Sequence, residues 1–543
     1  MRSTRLICAL ACAFAPIAFA QTPTVSGLLN NYSYTLPGLP SYGIAQGSIF
    51  DIFGTYLAST ASPLQATPPQ SLDGVSISVT VNGATTTPLI YSVSPGQIDA
   101  VLPSATPAGK GTLTVTTSAG ASAPFDIQVV PSGFGILTLN SGTGPAAGYD
   151  INNNYALFSY TSAVNPGEML ELWGTGLGPI ANDATDTAVG VPVEVDIAGI
   201  QASVEYAGRS AFVGLDQIDV VVPSGVAGCN VSVVVVESGV VSNFATLPVA
   251  SSGRTCSDPI NPFTATVLND LSKNGSFSYG FIDIGTGALG DSGAATFARI
   301  GAAEVNSGQY ANALGQVTSI GSCNVYTFIT SSTPTAAIVE NLPKVTYLDA
   351  GSVIDIGGPG GTTTPMNQET NIGAGVYATT PYLCGQLCAV SFIPATGGSF
   401  TFNNRSGGSD VGAFTANLQM PPPIVWSNMN SIASPIQRAN GITVTWTGGD
   451  SNTYVQITGI SDAVNPGASS VLGGVFTCMA PTSAGTFAVP PAVLLSLPPS
   501  DSLDSYGLLA VNNYINPVPF TAPGIDYAFV EGYFSDVILT AYQ

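Results

Sequence analysis

The stretch Gly47-Ser48-Ile49-Phe50-Asp51-Ile52-Phe53-Gly54-Thr55-Tyr56-Leu57 occurs twice. It returns 120 residues later as Gly167-Glu168-Met169-Leu170-Glu171-Leu172-Trp173-Gly174-Thr175-Gly176-Leu177. The same shift carries Gln97-Ile98-Asp99 onto Gln217-Ile218-Asp219, and Pro103-Ser104 onto Pro223-Ser224. Asn82-Gly83 answers to Ala198-Gly199, and Phe125 to Phe244, with small changes of spacing. Matches in constant order, with length changes confined to loops, mark a duplicated structural unit. Within the unit, apolar and acidic residues alternate with the period of a half-buried strand. The pattern predicts Phe50, Ile52, Leu170 and Leu172 facing inward, and Asp51 and Glu171 facing outward.

Each copy continues in the same manner. The Gln-Ile-Asp segments run into Ala100 to Leu102 and Val220 to Val222, each stopped by a proline that cannot donate to a sheet. A closing hairpin follows, turning at Ser118 to Gly120 in the first copy and at Ser238-Gly239 in the second. Short strands every 8–12 residues without helical periodicity read as sandwiches of about seven strands. Both copies resemble the immunoglobulin-like IPT/TIG sandwich. The pair is similar to a tandem module family of secreted soil-bacterial proteins, through Gly47 to Gly54, Val93-Ser94-Pro95-Gly96-Gln97-Ile98, Trp173 to Pro179 and Gly214-Leu215-Asp216-Gln217-Ile218. That resemblance covers roughly residues 25–250. It implies a fold and an extracellular setting; the family has no established activity, so it implies no site residues.

Around this pair the chain divides into expected parts. Residues 1–20 read as a secretion signal, with basic Arg2 and Arg5, an apolar run from Leu6 to Phe19, and Ala18-Phe19-Ala20 before a cut at Gln21. Modules one and two take residues 21–131 and 132–250, and 251–256 is a linker. A β-rich domain is expected over 257–420 and a second sandwich-like domain over 421–543, with Pro421-Pro422-Pro423 as a stiff boundary. The fold class is therefore all-β: tandem immunoglobulin-like sandwiches followed by further β-sandwich-like domains. The 62 glycines and 40 prolines, with only 8% charged and 45% hydrophobic residues, suit strands between tight turns. No segment after the signal is long and apolar enough to span a bilayer, so no membrane insertion is expected.

Net charge is −22, and more negative once Arg2 and Arg5 leave with the signal. A phosphate backbone would be repelled, which excludes nucleic acid as a partner. The chain has no histidine, so Ser-His-Asp and Cys-His catalysis and imidazole metal ligation are absent. Gly290-Asp291-Ser292-Gly293-Ala294, which looks like the surroundings of a serine nucleophile, is then a turn. Paired carboxylates need no imidazole; Asp183 with Asp186, Glu194 with Asp196, Asp216 with Asp219, and Asp501 with Asp504 are near neighbours in sequence, and solvated loop acids are the expected reading. Asp150-Ile151-Asn152-Asn153-Asn154 opens like a calcium loop but has Thr161 where the bidentate acid belongs. Trp173, Trp426 and Trp446 are expected in cores. No catalytic, cofactor-binding or metal residue is assigned.

Six cysteines remain beyond the signal: Cys229, Cys256, Cys323, Cys384, Cys388 and Cys478. An even number in an exported protein favours disulfides. Counting back antiparallel from Ser238-Gly239 brings position 229 level with about 248, within reach of Cys256 if residues 250–255 fold back. The expected bridge is Cys229–Cys256. The expected function is a secreted binding, adhesion or extracellular structural protein with no catalysis and no cofactor. Its partner would be an extracellular polysaccharide or a cell-surface protein, and the alternative is a carbohydrate-binding accessory protein or carboxylate-dependent glycosidase.

Overall fold

The structure is a computed structural model, and it describes residues 21–183, 190–261, 263–271, 273–287, 290–310, 318–331, 345–379, 391–464, 470–500 and 507–543. The expected signal, Cys384, Cys388, Asp186, Asp501 and Asp504 lie outside them. The fold is all-β, and among the described residues the helices are short, as at Pro491–Leu495.

Both copies fold as two-sheet sandwiches. The strand Ile49–Thr55 (β1) lies in a four-stranded sheet beside Gln97–Val101 (β2). In the second copy, Gly148–Asp150 (β3), Ala156–Leu157 (β4), Met169–Thr175 (β5), Ser203–Arg209 (β6) and Asp216–Val221 (β7) share a sheet in the order β4-β3-β5-β7-β6. The opposing sheets repeat an unusual detail. Ile44–Ala45 joins Phe125–Val130 in parallel, and Thr143–Ala146 joins Ala245–Val249 in parallel. The hairpin turns also match: Asn82-Gly83 (φ 50 and 81) and Ala198-Gly199 (φ 54 and 71) have the two left-handed residues of a tight strand reversal. Phe50 and Ile52 fill one core with Ile77, Val79, Leu113 and Val115; Leu170 and Leu172 fill the other with Val195, Ile197, Val233 and Val235.

The modules are locked together by a buried ion pair. Arg209 Nε lies 2.8 Å from Asp216 Oδ1, and its Nη1 donates to the carbonyl of Gly47 at 2.8 Å. Asp216 Oδ2 accepts from the amides of Gly176 and Leu177 at 2.7 and 2.8 Å. Thr175 Oγ1 accepts from the Ile49 amide at 2.8 Å and donates to the Gly214 carbonyl at 2.6 Å. The end of the second repeat stretch thus docks on the start of the first.

The C-terminal half departs from the expected division. Strands from after position 420 sit between strands from before it in one sheet of 14 strands. Its centre runs Tyr454–Val464, Gly507–Tyr514, Tyr527–Leu539, Ser276–Gly287, Gly290–Gly301, and in chain order these are β10, β11, β12, β8 and β9. Strands β8 and β12 pair in parallel, setting Gly280 beside Ala528. The proline run only ends the strand Thr415–Met420 and sends the chain into a small three-stranded sheet. There Trp426 and Trp446 are buried, in one core with Val455, Ile457 and Phe476. Gly290 to Ala294 is likewise not a turn; it begins β9, with Ser292 exposed.

Residues 251–256 are not a free linker. Arg254 Nη1 contacts Asp150 at 2.7 Å and Glu168 at 2.6 Å. Cys229 and Cys256 are joined, with Cα atoms 5.2 Å apart, and Cys323 and Cys478 join adjacent strands in register. In the chain-entropy account, closing loops of 27 and 155 residues contributes about 3.5 and about 5 kcal/mol. Non-reducing peptide mapping of the protein should return both pairs. Removing the first with Cys229→Ser/Cys256→Ser should loosen the end of module two while leaving exchange protection of Ile49–Thr55 unchanged; a free Cys229 thiol would refute the pairing.

Candidate functional site

The repeated stretch brings an acid pair to the same place in both modules. In module one Asp51 stands opposite Asp99 across β1 and β2; in module two Glu171 stands opposite Asp219 across β5 and β7. Each aspartate is held the same way, by a 2.8 Å bond from the side-chain amide two residues before it: Gln97 to Asp99, and Gln217 to Asp219. The surroundings of the two pairs then diverge.

In module one the chain after Asn30 folds back over the pair. Asn31 Nδ2 donates to Asp51 Oδ1 at 2.5 Å, Tyr34 lies beside the same carboxyl, and Tyr32 packs beside Tyr91. Asp51 is therefore not the outward, solvated acid that its alternation with Phe50 and Ile52 suggests. It faces away from its core but is 0% exposed, because a second layer covers it. Burial, then the neighbouring Asp99, push its pKa well above the ordinary carboxylate range. Asp51 thus keeps a proton in the folded state that the unfolded chain releases near 3.8. Its contribution is best at low pH and is lost as pH rises from that value toward the raised one, by about 1.4 kcal/mol per pH unit within the window. Asp51→Asn, a neutral isostere, should raise the calorimetric transition of module one at pH 8 and leave it nearly unchanged at pH 4. Equal effects at both values would contradict the burial argument.

In module two the face is open. Leu157, Tyr149, Glu171, Asp219 and Tyr206 form one straight row across β4, β3, β5, β7 and β6, each opposite the next. Trp173 lies in the adjoining row, opposite Gln217, and is half-buried rather than in a core. Its indole nitrogen donates to Glu171 Oε1, and Gln217 Nε2 donates to Glu171 Oε2 at 3.2 Å. Tyr149 meets the Trp173 ring edge-on at 4.9 Å and Tyr155 at 6.5 Å. Tyr155 is 59% exposed and Leu157 63%. Asn154 and Tyr155 both have left-handed backbones (φ 55 and 56). Two such residues without glycine are costly, and here they project the Tyr155 ring outward. Burial raises the pKa values of Glu171 and Asp219, and Glu171 is raised further by Asp219. Rings and aligned acceptors on one flat face suit a ligand with both apolar faces and hydroxyl groups.

The other acids are placed differently. Asp216 points into the intermodule lock and Asp219 to the outer face, so they do not form a pair. Asp183 accepts from the Ser104 amide at 3.1 Å and lines a cleft of about 540 Å³ between the modules. Glu194 and Asp196 share one face of the strand Val193–Ile197, and burial, then Glu194, raises the Asp196 pKa. Asp150 caps a short turn through the amides of Asn152 and Asn153, with its other oxygen on Arg254. Among the described residues, no group of three or more His, Cys, Asp or Glu suits a metal ion, and no helix is long and apolar enough to cross a membrane.

No protein-family model matches the chain, and no curated protein does. Solved structures similar to parts of it include a gamma-CGTase from the alkalophilic Bacillus clarkii, at 14% identity over 43% of this chain and 26% of that one, with a TM-score of 0.14. A Bacteroides ovatus SGBP-B in complex with a mixed-linkage heptasaccharide matches at 11% identity over 86% and 96%, TM-score 0.15. The FN1–FN3 domains of chicken CNTN1 match at 9% over 73% and 98%, TM-score 0.16. These neighbours include immunoglobulin- and fibronectin-like sandwiches.

Proposed function

We propose that this is an exported binding protein whose ligand is an uncharged extracellular polysaccharide, held on the outer face of module two without turnover. In this reading residues 1–20 are removed on export and the two modules are an IPT/TIG-like pair. The observation that carries the proposal is the in-register row Leu157–Tyr149–Glu171–Asp219–Tyr206 with Trp173 and the projecting Tyr155 beside it. Aromatic rings stack on the C–H faces of sugars, while carboxylates fixed by Trp173 and Gln217 accept hydroxyl protons with little further ordering cost. A net charge of −22 disfavours polyanionic glycans. The acid pair lies on an open face rather than astride a cleft that excludes water, which favours holding a chain over cleaving it.

The test is affinity electrophoresis of the mature protein in gels of neutral plant and cell-wall polysaccharides. At least one should retard it, and Tyr155→Ala/Trp173→Ala should weaken retardation about tenfold or more, with the fold intact by circular dichroism. Retardation unchanged in that variant would refute this face as the site. Capture of a cell-surface protein, with no polysaccharide bound, would favour adhesion instead.

A further inference from the structure

A second face carries related chemistry in the C-terminal half, assembled from strands far apart in sequence. Ser292, Gly285, Tyr533, Tyr514 and Tyr454 stand opposite one another across β9, β8, β12, β11 and β10. Tyr533 lies over Gly285: a Cβ there would come within 2.1 Å of the ring, so the glycine is what lets the ring rest against the sheet. Tyr533 and Tyr514 stack with centroids 5.1 Å apart and planes 26° apart. One step along the sheet, Asp283 and Glu531 are direct partners across the parallel β8–β12 pairing. Phe281 and Phe529 form the next pair, 5.0 Å apart. Asp283, Glu531 and the three tyrosines are half-buried, each keeping some surface open, while Ser292 is exposed.

We propose that this face is a second binding site for an uncharged, hydroxyl-rich sugar chain. The row Tyr533–Tyr514–Tyr454 is its stacking surface, and Asp283 and Glu531 are hydrogen-bonding partners of its hydroxyls. The ligand class rests on the reading given for module two; the site itself does not. Neither acid is ion-paired among the described residues. Burial lifts Asp283 to about 7, and burial with Asp283 beside it lifts Glu531 to about 8. The other titratable groups that face them are Tyr514 and Tyr533, with Asp258 beyond Tyr454. At neutral pH at least one acid is therefore protonated, able both to donate to and accept from a hydroxyl. Above pH 8 both ionise, donation is lost, and binding here should fade.

The experiment is isothermal titration of the full mature chain with β-1,4-linked hexaoses of glucose, xylose and mannose, at pH 6 and pH 9. The hexaose that binds should do so at two per chain at pH 6. Tyr155→Ala/Trp173→Ala should leave one site, and that site should weaken about tenfold or more at pH 9. Glu531→Gln in that background should keep binding at pH 6 and lose the pH dependence, which a merely structural role would not produce. Tyr514→Ala/Tyr533→Ala should remove the C-terminal site alone. One molecule per chain, lost with Tyr155 and Trp173, overturns this proposal and leaves module two standing. One per chain, lost with Tyr514 and Tyr533, supports it and overturns module two. No binding of any hexaose overturns both.

Discussion

The guanidinium of Arg209 decides how the first two modules sit. It is fully buried, paired with an equally buried Asp216, and its remaining donors go to backbone carbonyls of both modules. A buried ion pair does little for stability by itself, but removing one partner leaves an uncompensated charge, so the geometry that satisfies it is strongly enforced. That geometry sets Thr175 against Ile49 and gathers Ile49, Tyr91, Val101 and Leu215 into an apolar cluster against which Trp173 packs. Trp173, so held, orients Glu171. The lock between the modules and the open face of the second are thus one construction.

Duplication followed by divergence accounts for the contrast between the modules. Both copies keep the cross-strand acid pair and the glutamine that fixes its aspartate. In the first copy, residues 31–34 close over the pair, and Leu36 and Leu39 continue across to Leu472 of the large sheet. That copy has become a joint. In the second copy the corresponding chain turns aside through Asp150, Asn154 and Tyr155, tied down by Arg254, and leaves the pair facing solvent.

Much of this was legible from alternation and spacing. The repeat, the inward faces of Phe50, Ile52, Leu170 and Leu172, and the buried Trp426 and Trp446 all follow from local patterns. The fate of Asp51 does not, because alternation reports which way a side chain leaves its strand and not what lies beyond. Nearness in sequence does not mark the acid pairs, because Glu171–Asp219 and Asp283–Glu531 form across strands. The first was findable, since aligning the two copies places a Gln-x-Asp after the strand acid in each. The second depends on a parallel pairing between β8 and β12 that leaves no local mark, and the same pairing carries one sheet past the proline run at 421–423.

Carboxyl footprinting of the intact protein by carbodiimide coupling and peptide mass spectrometry tests directly whether the duplicated acid pair is closed in one module and open in the other. Glu171 and Asp219 should label in the free protein and be shielded by a bound neutral oligosaccharide, while Asp51 stays unlabelled throughout. Labelling of Asp51 as fast as Glu171, or a Glu171 rate indifferent to bound sugar, would contradict the account.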